Sequence, residues 1–188
     1  MPKVIADQEV FSAVIQTIVE RCYHGATTKE LARAAGISEV SLFRKYGSKV
    51  GLVRRAIAEL IERTDFSTAA RFTGDLQADL GRVVAAYQAS AVEHGFFFFT
   101  LFMEIRRHPE LREAVPEPLS LFRDLVELLA RYQQEGVLRQ ESSFRAVAAL
   151  LGPLMYAGMM SRVLPETSDH EPDLEEHVDR FLHGRKSE

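Results

Sequence analysis

The chain has 188 residues, 46% hydrophobic and 27% charged, with 11 Gly, 7 Pro and a single Cys, which excludes long disorder, a collagen-like repeat and a disulfide scaffold. The length suits one domain or two small ones. Charge is uneven: residues 1–55 hold nine Lys/Arg against five Asp/Glu, and the remainder holds 14 against 22, so a basic N-terminal module precedes an acidic body.

Helical periodicity recurs along the chain. Phe11, Val14, Ile15, Ile18, Val19 and Cys22 form one apolar stripe, predicting a helix over 8–22. Two short helices follow in 27–46, and Leu52, Val53, Ala56, Ile57, Leu60 and Ile61 predict another over 49–63. The periodicity lapses at Thr64–Thr73, a soft boundary, and resumes with Leu76, Leu80, Val83, Val84, Tyr87 and Ala91. Leu121, Leu125, Leu128, Leu129 and Tyr132 make a stripe ending at Gly136, a residue suited to a left-handed cap. Phe144, Val147, Leu151, Leu154 and Gly158 begin a further helix, capped by Ser142 or Ser143 and expected to kink at Pro153. Leu174, Val178, Phe181 and Leu182 suit a last short helix. No segment alternates with period two for long, so the class is all-α, without internal repeats.

Residues 27–46 carry the chemistry. Thr27 and Glu30 have the spacing of a capping box, and Leu31, Ala32 and Ala35 give the short helix an inner face. Gly36 permits a turn with positive φ, Ile37 plugs the corner, and Ser38 caps a second helix with Leu42 and Phe43 or Tyr46 facing inward. Two short helices across a tight glycine turn form a helix-turn-helix, the geometry that lays its second helix in a DNA major groove. Thr27, Ser38 and Ser48-Lys49 offer hydroxyls and free amides at helix starts, where phosphate is attracted. Ser41, Arg44 and Lys45 leave the second helix outward; Arg44 suits guanine and Glu39 a cytosine amino group. Such corners also serve as packing devices, in a helical small-molecule-binding protein or enzyme or in a protein–protein adaptor, and spacing alone leaves these readings open.

The string Tyr23-His24-Gly25-Ala26-Thr27-Thr28-Lys29-Glu30-Leu31-Ala32, then Ala34-Ala35-Gly36-Ile37-Ser38, Leu42-Phe43-Arg44-Lys45-Tyr46 and Ser48-Lys49 resembles the N-terminal domain of the TetR family of transcriptional regulators. The resemblance covers Val10 to Leu60. It implies a three-helix DNA-binding domain over 1–50, linked by the helix 49–63 to a helical ligand-binding and dimerisation domain over 51–188. It further implies a homodimeric regulator, most often a repressor, that binds a near-palindromic operator and is released by a small effector. Residues matching Thr27, Ser38, Lys49 and Tyr46 then contact or frame phosphates, and those matching Glu39, Val40, Ser41, Arg44 and Lys45 read the groove. The chain departs from the family pattern in places. Cys22 stands where relatives usually carry Gly, Val40 where the residue is often small, and Lys45 where His or an aromatic is common; the arm before the first helix has one basic residue, Lys3.

In the acidic half, Phe96-Phe97-Phe98-Phe99 with Phe102, Met103 and Ile105 puts apolar groups on too many sides for one stripe. That helix is either buried centrally or lines a cavity. With the resemblance, Tyr87, Phe98, Phe102, Phe122 and Met155 are the candidate lining of a pocket for a largely apolar ligand. The helices near 118–135 and 143–163 resemble the family's dimer helices; intramolecular packing is the alternative. Glu104/His108, Asp173/His177 and Asp179/His183 sit at i, i+4, but none has a third metal ligand at diagnostic spacing, and no GxSxG, Walker A or HExxH pattern occurs. No enzyme activity, metal or cofactor is expected. Cys22, on an apolar helical face, is expected to be a buried inert thiol. A reducing, cytoplasmic compartment fits one Cys, and the longest uncharged run, Ala146 to Ser161, has 16 residues, short of the ~18 needed to span a membrane. Asp7 and Glu9 before any apolar stretch argue against a signal peptide.

Overall fold

The computed structural model describes residues 6–63, 66–114, 116–164 and 172–183; Lys3, the basic residue of the expected arm, lies outside them. The described residues form α1 (Asp7–Gly25), α2 (Thr28–Ala34), α3 (Glu39–Tyr46), α4 (Lys49–Glu62), α5 (Phe66–Ala69), α6 (Leu76–Glu104), a 3-10 turn (Pro109–Ala114), α7 (Pro116–Gln134), α8 (Ser143–Val163) and α9 (Leu174–Leu182). No strand forms among them, and the protein is all-α. The chain divides into two compact units, Met1–Arg63 with Phe96–Pro118, and Thr64–Gly95 with Leu119–Glu188.

The first unit is organised around the faces of α1 and α4. Val14, Ile18, Leu31, Leu42, Leu52, Val53 and Ile57 are fully buried in one core. The phenylalanine run enters this core: Phe97 and Leu101 from the end of α6 and Leu111 and Ala114 from the 3-10 turn are buried with the helix-turn-helix residues. Leu111 and Ala114 fall in a segment without apolar periodicity, so nothing in the sequence marked them as core.

The second unit buries Leu80, Val83 and Val84 of α6 against Leu125, Leu129 and Tyr132 of α7, Val147, Leu150 and Leu151 of α8, and Val178, Phe181 and Leu182 of α9. Gly136 closes α7 at φ 73°, with Val137 N–H donating to the Tyr132 carbonyl at 3.0 Å. At the start of α8 the Ser142 side chain makes no capping bond; its carbonyl accepts from Ala146, and the Ser143 hydroxyl reaches Gln133 Oε1 at 2.9 Å. α8 continues through Pro153. Once Arg145 and Arg162 are tolerated near its ends, α8 is long and apolar enough to cross a membrane by length and composition. The uncharged run missed this by excluding both arginines. Ala146, Val147, Leu150, Leu151 and Leu154 are buried within the unit, while much of the rest of the helix is exposed.

One buried charge anchors this unit. Asp79 is fully buried near the start of α6. It accepts from Tyr132 Oη at 2.6 Å, Thr73 N at 2.8 Å and Arg82 at 2.7 Å, and from the Thr73 hydroxyl. Burial alone raises its carboxyl, but the donors from Thr73, Tyr132 and Arg82 together outweigh burial and hold it below the ordinary value. The ionised form therefore stabilises the fold above the unfolded pKa of about 3.9, and that contribution disappears as pH falls through the lower folded value. Tyr132→Phe should cost about 1–3 kcal/mol at neutral pH by denaturant titration. Asp79→Asn should flatten the dependence of melting temperature on pH below about pH 4; an unchanged acid limb would exclude this role for the carboxylate.

Candidate nucleic-acid interface

The helix-turn-helix is built by local chemistry. Thr27 Oγ1 accepts from Glu30 N at 3.3 Å, and Glu30 reaches back to Thr27 N at 3.4 Å, so both members of the capping box are present. Arg21 pairs with the same carboxylate at 2.6 Å, tying α1 to α2. After α2, Gly36 adopts φ 65°, and Ile37 N–H donates to the Ala32 carbonyl at 3.0 Å while Gly36 N–H donates to Arg33 at 3.2 Å. These paired bonds are a Schellman closure, which a side chain at Gly36 would strain. Ser38 Oγ caps α3 by accepting from Ser41 N at 3.1 Å, and Ser48 Oγ caps α4 by accepting from Gly51 N at 3.0 Å.

α3 has an inner and an outer side. Leu42 is fully buried, and Tyr46 is buried against Phe11 with ring centroids 5.7 Å apart. Phe43, a candidate for the inner face, instead points out at 42% exposure, because Leu42 and Tyr46 are one helical turn apart and already define the stripe. Val40 is the most exposed apolar residue of the helix at 76%, and Glu39, Arg44 and Lys45 are exposed beside it. Among the described residues Arg44 has no hydrogen-bond or ion-pair partner. Glu39 accepts from the Thr28 hydroxyl, Ser41 Oγ accepts from Ser38 Oγ at 2.9 Å, and Lys45 pairs with Asp7.

Lys49 is placed differently from a free phosphate ligand. Its ammonium donates to the Tyr23 carbonyl at the end of α1 and lies 3.9 Å from the centroid of the Tyr23 ring. Burial lowers its pKa, opposed by Glu110 and Glu104. Burial likewise pushes the Tyr23 hydroxyl up to about 12, with Glu110 adding. The Tyr23 ring meets His108 edge-on at 5.1 Å, and His108 stacks on His24 at 5.6 Å and approaches Glu110 at 3.4 Å. Lys49 thus holds a corner joining α1, α4 and the segment after α6.

Sequence reasoning missed Gly51. A Cβ there would come 2.5 Å from the Tyr46 carbonyl oxygen, so the α3–α4 corner closes over a hydrogen atom. The available clue was glycine in the first turn of a helix, where its propensity is poor.

The five pocket candidates are not brought together in one unit. Phe98, partly buried, packs on the first unit's core, and Phe102 in that unit is 41% exposed. Tyr87 is half-buried on the second unit's core, where burial pushes its hydroxyl up to about 12. Phe122 and Met155 are exposed. An open cleft of about 330 Å³ in the second unit is lined by Ala70, Arg71, Phe72, Asp124, Glu127, Leu128 and Arg131, none of them among those candidates. Among the described residues no group of three or more His, Cys, Asp or Glu could hold a metal ion. The acid–histidine pairs have structural partners instead: Asp173 caps α9, Asp179 accepts from Gln77 and His177 meets the Leu150 carbonyl.

A short helix capped by Ser38, following a glycine turn and anchored to the core by Leu42, is the second helix of a helix-turn-helix. Residues 11–56 match the family model described as bacterial regulatory proteins, tetR family. Through this segment the chain resembles the TetR family of transcriptional regulators. It is 24% identical over 146 residues, 71% of this chain and 70% of the relative, to the uncharacterised HTH-type transcriptional regulator YvkB of Bacillus subtilis (strain 168). Its fold is similar to a transcription regulator from Shewanella sp. PV-4 assigned to the tetR family, with TM-score 0.71, 19% identity and coverage of 97% of this chain and 98% of that one. It is also similar to the TetR family transcriptional regulator PfmR from Thermus thermophilus, with TM-score 0.70, 20% identity and coverage of 92% and 93%.

Cys22 departs from expectation. It is exposed, not a buried thiol, because the backbone turns there to φ 56° and ψ 172°, interrupting α1 and carrying the side chain off the apolar stripe. That region is essentially reserved for glycine and strains a residue with a Cβ by roughly 1–3 kcal/mol. Cys22→Gly should raise the unfolding midpoint by the equivalent of about 1 kcal/mol; a lowered midpoint in denaturant would show that no strain is stored there.

Proposed function

We propose that the protein is a cytoplasmic, homodimeric repressor in which each α3 enters a major groove of a near-palindromic operator. The observation that carries this reading is the outer side of α3, where Val40 and Arg44 stand exposed on a helix pinned from behind by Leu42 and Tyr46. Arg44 reads guanine bidentately, Val40 contacts a thymine methyl, Glu39 and Ser41 complete the groove-facing set, and Lys45 beside them reaches a backbone phosphate. The amides and hydroxyls at Thr27, Ser38 and Ser48 fix phosphates. Tyr46 and Lys49, engaged from within, frame that phosphate track. Residues 1–50, linked by the helix 49–63, read DNA, and residues 51–188 supply effector binding and dimerisation.

An uncovered face of α8 supports the dimer. Met155, Tyr156 and Val163 are each more than half exposed, and a Cβ built at Gly152 or Gly158 meets nothing within 4 Å. Such a face suits close approach of a second copy. A small, largely apolar effector held in this half, with Tyr87 as a polar handle, releases DNA by favouring a conformer in which the two α3 helices are wrongly spaced. Its leverage equals its differential affinity for the two conformers.

Fluorescence anisotropy with the DNA upstream of the protein's own coding sequence tests the reading. Binding should exceed that to mixed-sequence duplex and weaken steeply with salt as counterions are released. Arg44→Ala should erase preference at one base-pair position, worth about 1–3 kcal/mol, with little change elsewhere. Flat salt dependence without preference, or a monomer at micromolar concentration by sedimentation, would defeat the proposal.

A further inference from the structure

The last turn of α3 meets the first turn of α1 through one oxygen. Lys45 Nζ and Tyr46 Oη both donate to Asp7 Oδ1, the phenol at 2.8 Å. The Tyr46 ring is buried, so its hydroxyl is a fixed donor and holds the carboxylate in place. The Asp7 and Lys45 side chains themselves stay 42% and 48% exposed. The Lys45 hydrogen bond first, then Tyr46 and Arg55, lower the Asp7 pKa against the opposing effect of burial, keeping it ionised at neutral pH.

Lys45 belongs to the outer side of α3, where it is expected to meet DNA. Its ammonium is already held by a carboxylate that a buried tyrosine keeps in position. A phosphate arriving beside α3 has to take that cation from Asp7. An exposed ion pair is weak enough to be exchanged, yet strong enough to subtract from each phosphate contact that replaces it. Phosphate contacts carry no sequence information, so the subtraction falls equally on duplexes of every sequence and lowers affinity without changing the difference between them.

We propose that Asp7 is an affinity-limiting residue that competes with DNA phosphate for the Lys45 ammonium. The proposal rests on the reading that α3 meets the groove. It goes further in assigning a role to a carboxylate outside the helix-turn-helix, 38 residues from its partner.

The test uses the full chain and its Asp7→Asn, Lys45→Met and doubly substituted variants, each checked for its melting temperature. Asn keeps an acceptor for Tyr46 while removing the charge. Anisotropy on a mixed-sequence duplex of about 30 base pairs, across a salt series, supplies the readout. Asp7→Asn should tighten binding about two- to five-fold at low salt. It should also steepen the slope of log affinity against log salt by up to about 0.9 per protomer. Lys45→Met should abolish both gains, and Asp7→Ser should give the same sign as Asp7→Asn. A gain that persists undiminished in the double variant would mean general relief of negative charge and would overturn the proposal. So would unchanged or weakened binding in Asp7→Asn, which would leave Asp7 only a support for Tyr46. Failure of the groove reading looks different: the unsubstituted chain would itself show flat salt dependence and no preference for its own upstream DNA.

Discussion

α3 spans eight residues, well below the length at which an isolated helix persists in water, so its shape is imposed from outside. Leu42 and Tyr46 fasten its inner face, Ser38 caps its start, Gly47 ends it with φ 77°, and the α4 corner closes tightly over Gly51. The constraint sorts the side chains. Whatever fastens the helix is unavailable to DNA, and whatever remains outside must be tolerated in water when no DNA is present. The free side of α3 therefore mixes one bare valine, a half-exposed phenylalanine and charges instead of presenting an apolar patch.

The same constraint revises the charge arithmetic. Nine basic residues in 1–55 suggest a broadly cationic surface, yet several are engaged within the protein. Arg21 pairs with Glu30, Lys45 with Asp7, Lys49 with the Tyr23 carbonyl, and Arg55 lies 6.0 Å from the centroid of the Tyr46 ring. Among the described residues Lys29, Arg33, Arg44 and Arg54 have no such partner. A count of charges overstates attraction to polyanions wherever cations also carry structure, and here four of the eight described cations in 1–55 are engaged within the protein.

What was legible in the sequence was local. The Thr27–Glu30 box, the Gly36 closure and the Ser38 cap each involve residues within five positions of one another, so spacing alone specifies their geometry. The contacts that decide which side chains are free are long-range: Asp7 with Lys45 and Tyr46, Lys49 with Tyr23, Tyr132 with Asp79. No periodicity encodes a partner tens of residues away. The phenylalanine run shows the same limit. Its composition allowed core or cavity, and the decision for Phe97 came from Leu101, Leu111 and Ala114, which share its core. Cys22 misled because a stripe presumes an unbroken helix, and the backbone turns at that residue.

On the proposed reading, specificity follows from scarcity on α3. Glu39, Ser41 and Lys45 already have partners inside the protein, so a contact that any of them makes with DNA must displace an existing bond, whereas Arg44 and Val40 have none to displace among the described residues. Displacement makes such contacts nearly neutral in free energy, whereas a contact from an unpartnered group keeps its full value. Discrimination between sequences therefore concentrates on the two side chains that give up nothing on binding. One donates hydrogen bonds in a fork suited to guanine, and the other offers only apolar surface. An operator favoured by this helix should contain a guanine and a thymine at the spacing of positions 40 and 44, one helical turn apart along the groove.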